Sequence, residues 1–109
     1  MSYSVDTIPQ FDKQAKRLIK KFPSLKKDLN ELILSLSANP VQGKSLGNNF
    51  YKIRLAIASR GKGKSGGARV VTYLKLIQSK VYLAAIYDKS EKANISDTEL
   101  DGLFSALKK

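Results

Sequence analysis

Nine of the chain's twenty Lys and Arg residues fall between positions 41 and 80, a stretch with no Asp or Glu. They are Lys44, Lys52, Arg54, Arg60, Lys62, Lys64, Arg69, Lys75 and Lys80. Residues 1–40 hold seven basic and four acidic side chains, and residues 81–109 hold four and five. The middle segment therefore carries nine of the eleven net positive charges of the 109-residue chain. Cationic charge at this density attracts a polyanion: nucleic acid, an anionic membrane or an acidic protein. The chain contains neither Cys nor His. That excludes thiolate nucleophiles, disulfides, and zinc or iron sites built from thiolate or imidazole ligands. It also removes the usual general base of neutral pH. Any catalysis has to come from Lys, Arg, Tyr, Ser, Thr or carboxylate groups, with no metal and no cofactor expected.

Spacing gives part of this charge a geometry. Phe50 to Ser59 alternates strictly, so Tyr51, Ile53, Leu55 and Ile57 share one face of a strand and Lys52 and Arg54 share the other. In the segment 68–77, Ala68, Val70, Thr72, Leu74 and Leu76 make the better core face. That puts Arg69, Val71, Tyr73 and Lys75 with Lys52 and Arg54. A third strand, Lys80 to Tyr87, delivers Tyr87 and is followed by Lys89 and Lys92. An open sheet face with Lys, Arg and Tyr side by side suits nucleic acid, because cations meet phosphates and tyrosine rings stack on bases. Alternating cations on a solvent face ordinarily mean only solubility, but ordinary surfaces mix signs and this stretch does not. The loop from Arg60 to Gly67 (RGKGKSGG) is not a Walker motif, since position 58 is Ala and a strand pattern, not a helix, follows. Lys62 and Lys64 in that loop are candidate phosphate contacts. Lys13, Lys16, Arg17, Lys20 and Lys21 make a basic helix face whose simplest reading is solvation. Asp97, Glu99 and Asp101 read as charges favoured at a helix N-terminus rather than as a catalytic pair.

The elements that must hold these residues are legible in turn. Ser2 to Ile8 alternates weakly and predicts an edge strand. Phe11, Ala15, Leu18, Ile19 and Phe22 recur at helical spacing behind Pro9, which suits a first helical position. Pro23 ends that helix, Ser24 is placed to cap a second along Leu25, Leu29, Leu32, Ile33 and Leu36, and Asn39-Pro40 stops it. Residues 41–49 read as a Gly/Asn-rich loop. Three strands then form an antiparallel meander. Ser96-Asp97-Thr98-Glu99 is a capping box, flanked by Ile95 and Leu100 as a hydrophobic staple, and opens a last helix through Leu103, Phe104 and Leu107. The order is β-α-α-β-β-β-α in one domain spanning 1–109, of α+β class, with a small antiparallel sheet against a helical hairpin and a C-terminal helix. With no signal-like N-terminus and no apolar run near the ~18 residues of a membrane span, the expectation is a soluble cytoplasmic protein with no membrane partner.

Three stretches in this order, Phe50-Tyr51-Lys52-Ile53-Arg54-Leu55, Gly67-Ala68-Arg69-Val70-Val71-Thr72-Tyr73 and Ile86-Tyr87-Asp88-Lys89-Ser90-Glu91-Lys92, resemble the RelE/ParE superfamily of bacterial type II toxin–antitoxin toxins. The segment Gly63 to Arg69 and the later Tyr87-x-Lys89-x-Glu91 are similar to the HigB-like subgroup. The resemblance implies the RelE-like fold and a metal-independent endoribonuclease that cuts mRNA in the ribosomal A site through attack of the ribose 2′-hydroxyl on the adjacent phosphate. It implies as partners the ribosome with its mRNA and a cognate antitoxin encoded nearby, with operator DNA reached through that antitoxin. By motif match, Lys52, Arg54 and Arg69 fall on family functional positions, with Lys52 as base or base-orienting group and the two Arg on the phosphate. Lys89 is a further catalytic candidate, and Lys62, Lys64, Tyr73, Tyr87 and Lys92 are candidate RNA contacts. The chain departs from RelE in having Ser90 where RelE has an Arg, and no Tyr around Ser96. A ParE-like gyrase inhibitor and a non-catalytic nucleic-acid binder are the alternatives within reach of the same charge pattern.

Overall fold

A computed structural model of the chain describes residues 2–60 and 67–107. β1 (Ser4–Thr7) leads into α1 (Pro9–Lys21) and α2 (Leu25–Ala38). Then come β2 (Lys44–Gly47), β3 (Phe50–Leu55), β4 (Ala68–Lys75), β5 (Lys80–Asp88) and α3 (Asp97–Leu107). The strands form one mixed sheet in the order β1-β5-β4-β3-β2, with β1 parallel to β5 and every other pair antiparallel. The α+β class and the order of the expected elements stand. One strand is additional: β2 lies inside the segment read as loop. Asn48 and Asn49 both have positive φ, 52° and 66°, and turn β2 directly into β3. Two consecutive left-handed residues give the reverse turn whose twist matches paired strands, and Asn tolerates that conformation.

The hairpin α1–α2 covers one sheet face. Phe11, Ala15 and Leu18 of α1 and Leu25, Leu29, Leu32 and Leu36 of α2 bury against Ile53, Val70, Leu74, Val81, Leu83 and Ile86. Pro9 begins α1 as its spacing predicts. Ser24 does not cap α2. Its backbone is already helical, and its hydroxyl instead accepts from the Ser59 amide (2.8 Å), fastening the hairpin to the end of β3. That end is shorter than the alternation predicts, because the chain leaves the sheet after Leu55 and makes a single helical turn at Ala58–Arg60. Similarly β4 ends at Lys75, and Leu76–Gln78 form a tight turn closed by Ser79 at φ 50°.

The second sheet face is half covered, and here the expectation of an open face fails. α3 lies across Phe50, Val71, Tyr73, Ala84, Ala85 and Tyr87 with Leu103 and Leu107 beneath it. The Phe104 ring meets Phe50 and Tyr73 at 6.3 and 6.2 Å, and Phe50 meets Tyr73 at 5.0 Å. The capping box forms as its residues dictate. The Glu99 amide donates to Ser96 Oγ (3.1 Å), and Glu99 Oε1 accepts from the Ser96 amide (3.1 Å). Glu99 also pairs with Lys92 through its other oxygen, so one carboxylate holds both the helix start and the preceding loop.

A bulge decides which side of β5 faces what. Thr72 pairs with Leu83 but Val71 pairs with Ala85, leaving Ala84 as the extra residue. Val81 and Leu83 therefore face the hairpin, and past the bulge Ile86 does too, while Ala85 and Tyr87 turn to the opposite face. Gln14 of α1 supports this stretch by accepting from the Ile86 amide (3.0 Å). Ser96→Ala removes the cap that starts α3, and the expected loss of about 1 kcal/mol in unfolding free energy is checked by urea denaturation.

Candidate functional site

β3 and β4 are paired so that Arg54 lies directly opposite Arg69, which in turn lies opposite Tyr87 on β5. Two rungs further, Lys44 of β2 is opposite Lys52, which is opposite Val71. Directly opposed residues of antiparallel strands project to the same face, so Lys44, Lys52, Arg54 and Arg69 share the half of this face next to α3. Like charges placed directly opposite cost stability, and two rungs here, separated by the Ile53–Val70 pair, carry such a pair. The arrangement persists because the strands are fixed by the apolar layer behind them.

The four cations differ in exposure. Arg54 and Lys44 are exposed, Lys52 is half-buried, and Arg69 is buried at 2% exposure, its guanidinium donating to the Ala68 carbonyl (3.2 Å). Burial first, then the charges of Lys44, Arg69, Arg54 and Lys89, hold the Lys52 amine below the ordinary lysine value. Burial and the neighbouring Arg54 lower Arg69 as well. Both effects disfavour the protonated form. For a lysine this makes a neutral, proton-accepting amine accessible at lower pH. A bound anion reverses the effect by favouring the charged state.

The segment after β5 closes one end of the site. Asp88 is fully buried, and its Oδ1 accepts from both the amide and the hydroxyl of Ser90 (2.9 Å each). Glu91 accepts from Arg17 of α1 (2.7 Å) and lies 3.7 Å from Lys21. Part of the basic face of α1 is thus engaged with this turn and is not purely solvated. These ties leave Lys89 exposed beside the cluster and place Asn94 where its Oδ1 accepts from Lys52 Nζ (3.2 Å).

The structure therefore brings together Lys52, Arg54, Arg69 and Lys89, the four residues singled out as catalytic candidates. It does not support the stacking roles expected for the tyrosines. Tyr73 and Tyr87 are each 7% exposed. Tyr73 is enclosed by Phe50 and Phe104, and Tyr87 lies under the Lys92 ammonium, 5.4 Å from its ring centre. Burial also raises the Tyr87 phenol above its ordinary value. Tyr73 lies on the face that its strand phase predicts, but α3 packs over that half of the face. Lys92, expected as an RNA contact, is drawn to Glu99 and Tyr87. Lys62 and Lys64 lie outside the described residues.

Two contributors were missed from the sequence. Lys44 sat in the segment read as loop, where Asn48-Asn49 was the available hairpin signal. Asn94 had no signal, because its contact depends on how the loop is folded back. Beside Lys52 and Arg54, a cleft of about 490 Å³ is lined by Gln42, Gly43, Lys44 and Ile53. Among the described residues no cluster of three or more Asp or Glu could hold a metal ion, and no described helix is long and apolar enough to cross a membrane.

Residues 10–109 match the family described as the RelE toxin of the RelE/RelB toxin–antitoxin system. The chain belongs to the RelE toxin family. Its fold is similar to that of a mutant of the E. coli toxin RelE in the free state, with a TM-score of 0.66 at 17% identity over 98% of this chain and 99% of that one. The isolated E. coli RelE toxin matches with a TM-score of 0.62 at 18% identity, covering 97% and 100% of the two chains. A chain of the intact E. coli RelBE toxin–antitoxin complex matches at 0.61 and 19% identity, covering 80% of this chain and 96% of that chain. At these identities the structural likeness concerns the fold. The family match makes the chain a toxin of a toxin–antitoxin module.

The electrostatics are directly measurable. In an NMR titration of 13C-labelled lysines, Lys52 is expected to deprotonate at a lower pH than the lysine side chains remote from the cluster. Arg54→Gln, which removes one repelling charge, is expected to move that midpoint upward. A Lys52 midpoint that ignores Arg54 would show that the cations do not act on one another.

Proposed function

We propose that this RelE-family toxin is a ribosome-dependent endoribonuclease that cuts mRNA in the ribosomal A site and thereby inhibits translation. The observation that carries this reading is the convergence of Lys52, Arg54 and Arg69 on one rigid sheet face, with the Lys52 amine held below its ordinary value. In the proposed reaction neutral Lys52 takes the proton from a ribose 2′-hydroxyl. The 2′-oxygen forms a bond to the adjacent phosphorus while the bond from phosphorus to the 5′-oxygen breaks. Arg54 and Arg69 offset the charge that develops on the phosphoryl oxygens, a role that fixed cations fill without reorganisation. The Lys89 ammonium donates the proton taken up by the leaving 5′-oxygen. The products are a 2′,3′-cyclic phosphate and a free 5′-hydroxyl, and proton exchange with water resets both lysines. The nucleophile belongs to the substrate, so the absence of His and Cys is no obstacle.

A cognate antitoxin, encoded nearby and acidic where it meets this face, is the proposed protein partner, and operator DNA is reached through it. The likeness to a chain of the E. coli RelBE toxin–antitoxin complex supports such a partner. The cytoplasm, where translating ribosomes are, is the proposed site of action.

Induction of the chain in bacteria with mapping of transcript ends tests the reading. Cuts in phase with codons, appearing only on translated messages, are expected. Lys52→Ala, which keeps the backbone ladder and removes a side chain described as bonded to Asn94, should fold and lose about 10²- to 10⁴-fold in cleavage rate. Growth arrest with intact transcripts and DNA damage would instead indicate a gyrase inhibitor. RNA binding without cuts would indicate a non-catalytic binder.

A further inference from the structure

The cleft at the outer edge of the sheet is not accounted for by the catalytic cations alone. β2 pairs with β3 only as far as Lys44 opposite Lys52. Beyond that rung no β2 residue covers the outer edge of Ile53, Arg54 and Leu55, and the cleft of about 490 Å³ opens there between Gln42–Lys44 and the edge of β3. Gly43 forms its wall, at φ 84°. A side chain at this position would put its first carbon 2.2 Å from the Lys52 carbonyl oxygen, so the wall can approach Lys52 only as glycine. Lys44 then stands across from Lys52 with an exposed ammonium. The Gln42 side-chain amide is anchored on the other side, donating to the Ser35 hydroxyl and the Asn39 carbonyl (2.8 Å each).

We propose that this cleft is a second phosphate subsite, in which Lys44, at the rim beside Lys52 and Arg54, holds a nucleotide neighbouring the one that is cut. The inference rests on the ribonuclease reading and extends it from the reacting phosphate to the path of the strand. Two opposed lysines on a rigid hairpin repel one another when the site is empty. An anion between them removes that cost, and a second phosphodiester of the same strand does so for Lys44 while the first lies against Arg54 and Arg69. The free edge of β3 adds backbone groups to the same wall. The path has an outer limit, because the adjoining hollow past Arg54 is bordered by Asp28 and Glu31. These carboxylates repel phosphate and keep the strand on the Lys44 side. Here a shaped cleft, a glycine that the cleft requires and a paired cation on regular backbone coincide.

The test uses the whole protein and uncleavable 2′-O-methyl single-stranded RNA of two and three nucleotides, with binding measured against salt concentration. Adding the second phosphodiester is expected to tighten binding to the wild type. In Lys44→Ala that gain should shrink, and the slope of log affinity against log salt for the trinucleotide should fall by about 0.7, the value for one phosphate contact on a single strand. Lys44→Arg should restore both. NMR shifts at Gln42, Gly43 and Lys44 should appear with the trinucleotide and not with the dinucleotide. If Lys44→Ala binds both RNAs with wild-type affinity and slope, the subsite is wrong while RNA recognition at Arg54 and Arg69 stands. If the wild type binds neither RNA, the cationic face does not hold a strand and this inference fails, while the ribonuclease reading stands or falls separately on the codon-phased cuts.

Discussion

Mutual repulsion among cations fixed on paired strands is the constraint on which the rest of this structure turns. Arg54 faces Arg69 and, two rungs along, Lys44 faces Lys52 on the same side of the sheet. On flexible side chains in water, charges of one sign drift apart at little cost. Here the Cα positions are set by the ladder, and Arg69 is buried. The molecule must therefore be held together by something indifferent to charge. That is the apolar layer on the far side, where α1 and α2 bury Ile53, Val70, Leu74, Leu83 and Ile86. Apolar burial of this kind contributes on the order of 25 cal/mol per Å², enough over such a layer to hold a repulsive face in place.

The same logic explains why the cationic face is only half a face. Its other half is packed under α3 through Phe50, Tyr73 and Phe104. α3 is in turn tied at its start by Ser96 and Glu99, and Glu99 draws in Lys92. A chain of contacts thus runs from the helix cap to the loop that carries Lys89 and Asn94 and on to Lys52. On α1, Arg17 and Lys21 hold the same loop from the other side through Glu91. Site geometry in this toxin depends on elements on both sides of the sheet, although Lys44, Lys52, Arg54 and Arg69 all sit on one side.

Much of this was legible from residues. Strict alternation around Lys52 and Arg54 fixed their common face, and the better apolar phase of 68–76 added Arg69 to it. The capping box announced α3 to the residue, since both of its hydrogen bonds are local. What failed was longer in range. The tyrosines were assigned to an open surface because strand phase says which side a residue faces and nothing about what lies over that side. β2 was read as loop because four exposed or half-buried residues have no hydrophobic pattern, and only their pairing with β3 makes them a strand. Ser24 looked like a cap, but the chain reached helical geometry one residue early and its hydroxyl went to Ser59.

By itself the sequence determined the concentration of positive charge, every α-helix, four of the five strands and the face on which Lys52, Arg54 and Arg69 meet, because charge, period and capping are properties of neighbours along the chain. Only the tertiary structure decided that α3 closes over Tyr73 and Tyr87, that a bulge at Ala84 turns Tyr87 away from the hairpin, and that Lys44 and Asn94 reach Lys52. Those outcomes rest on contacts between residues 8 to 54 positions apart. Which distant segment covers a given face is settled by the packing of the whole domain, and no local pattern encodes it.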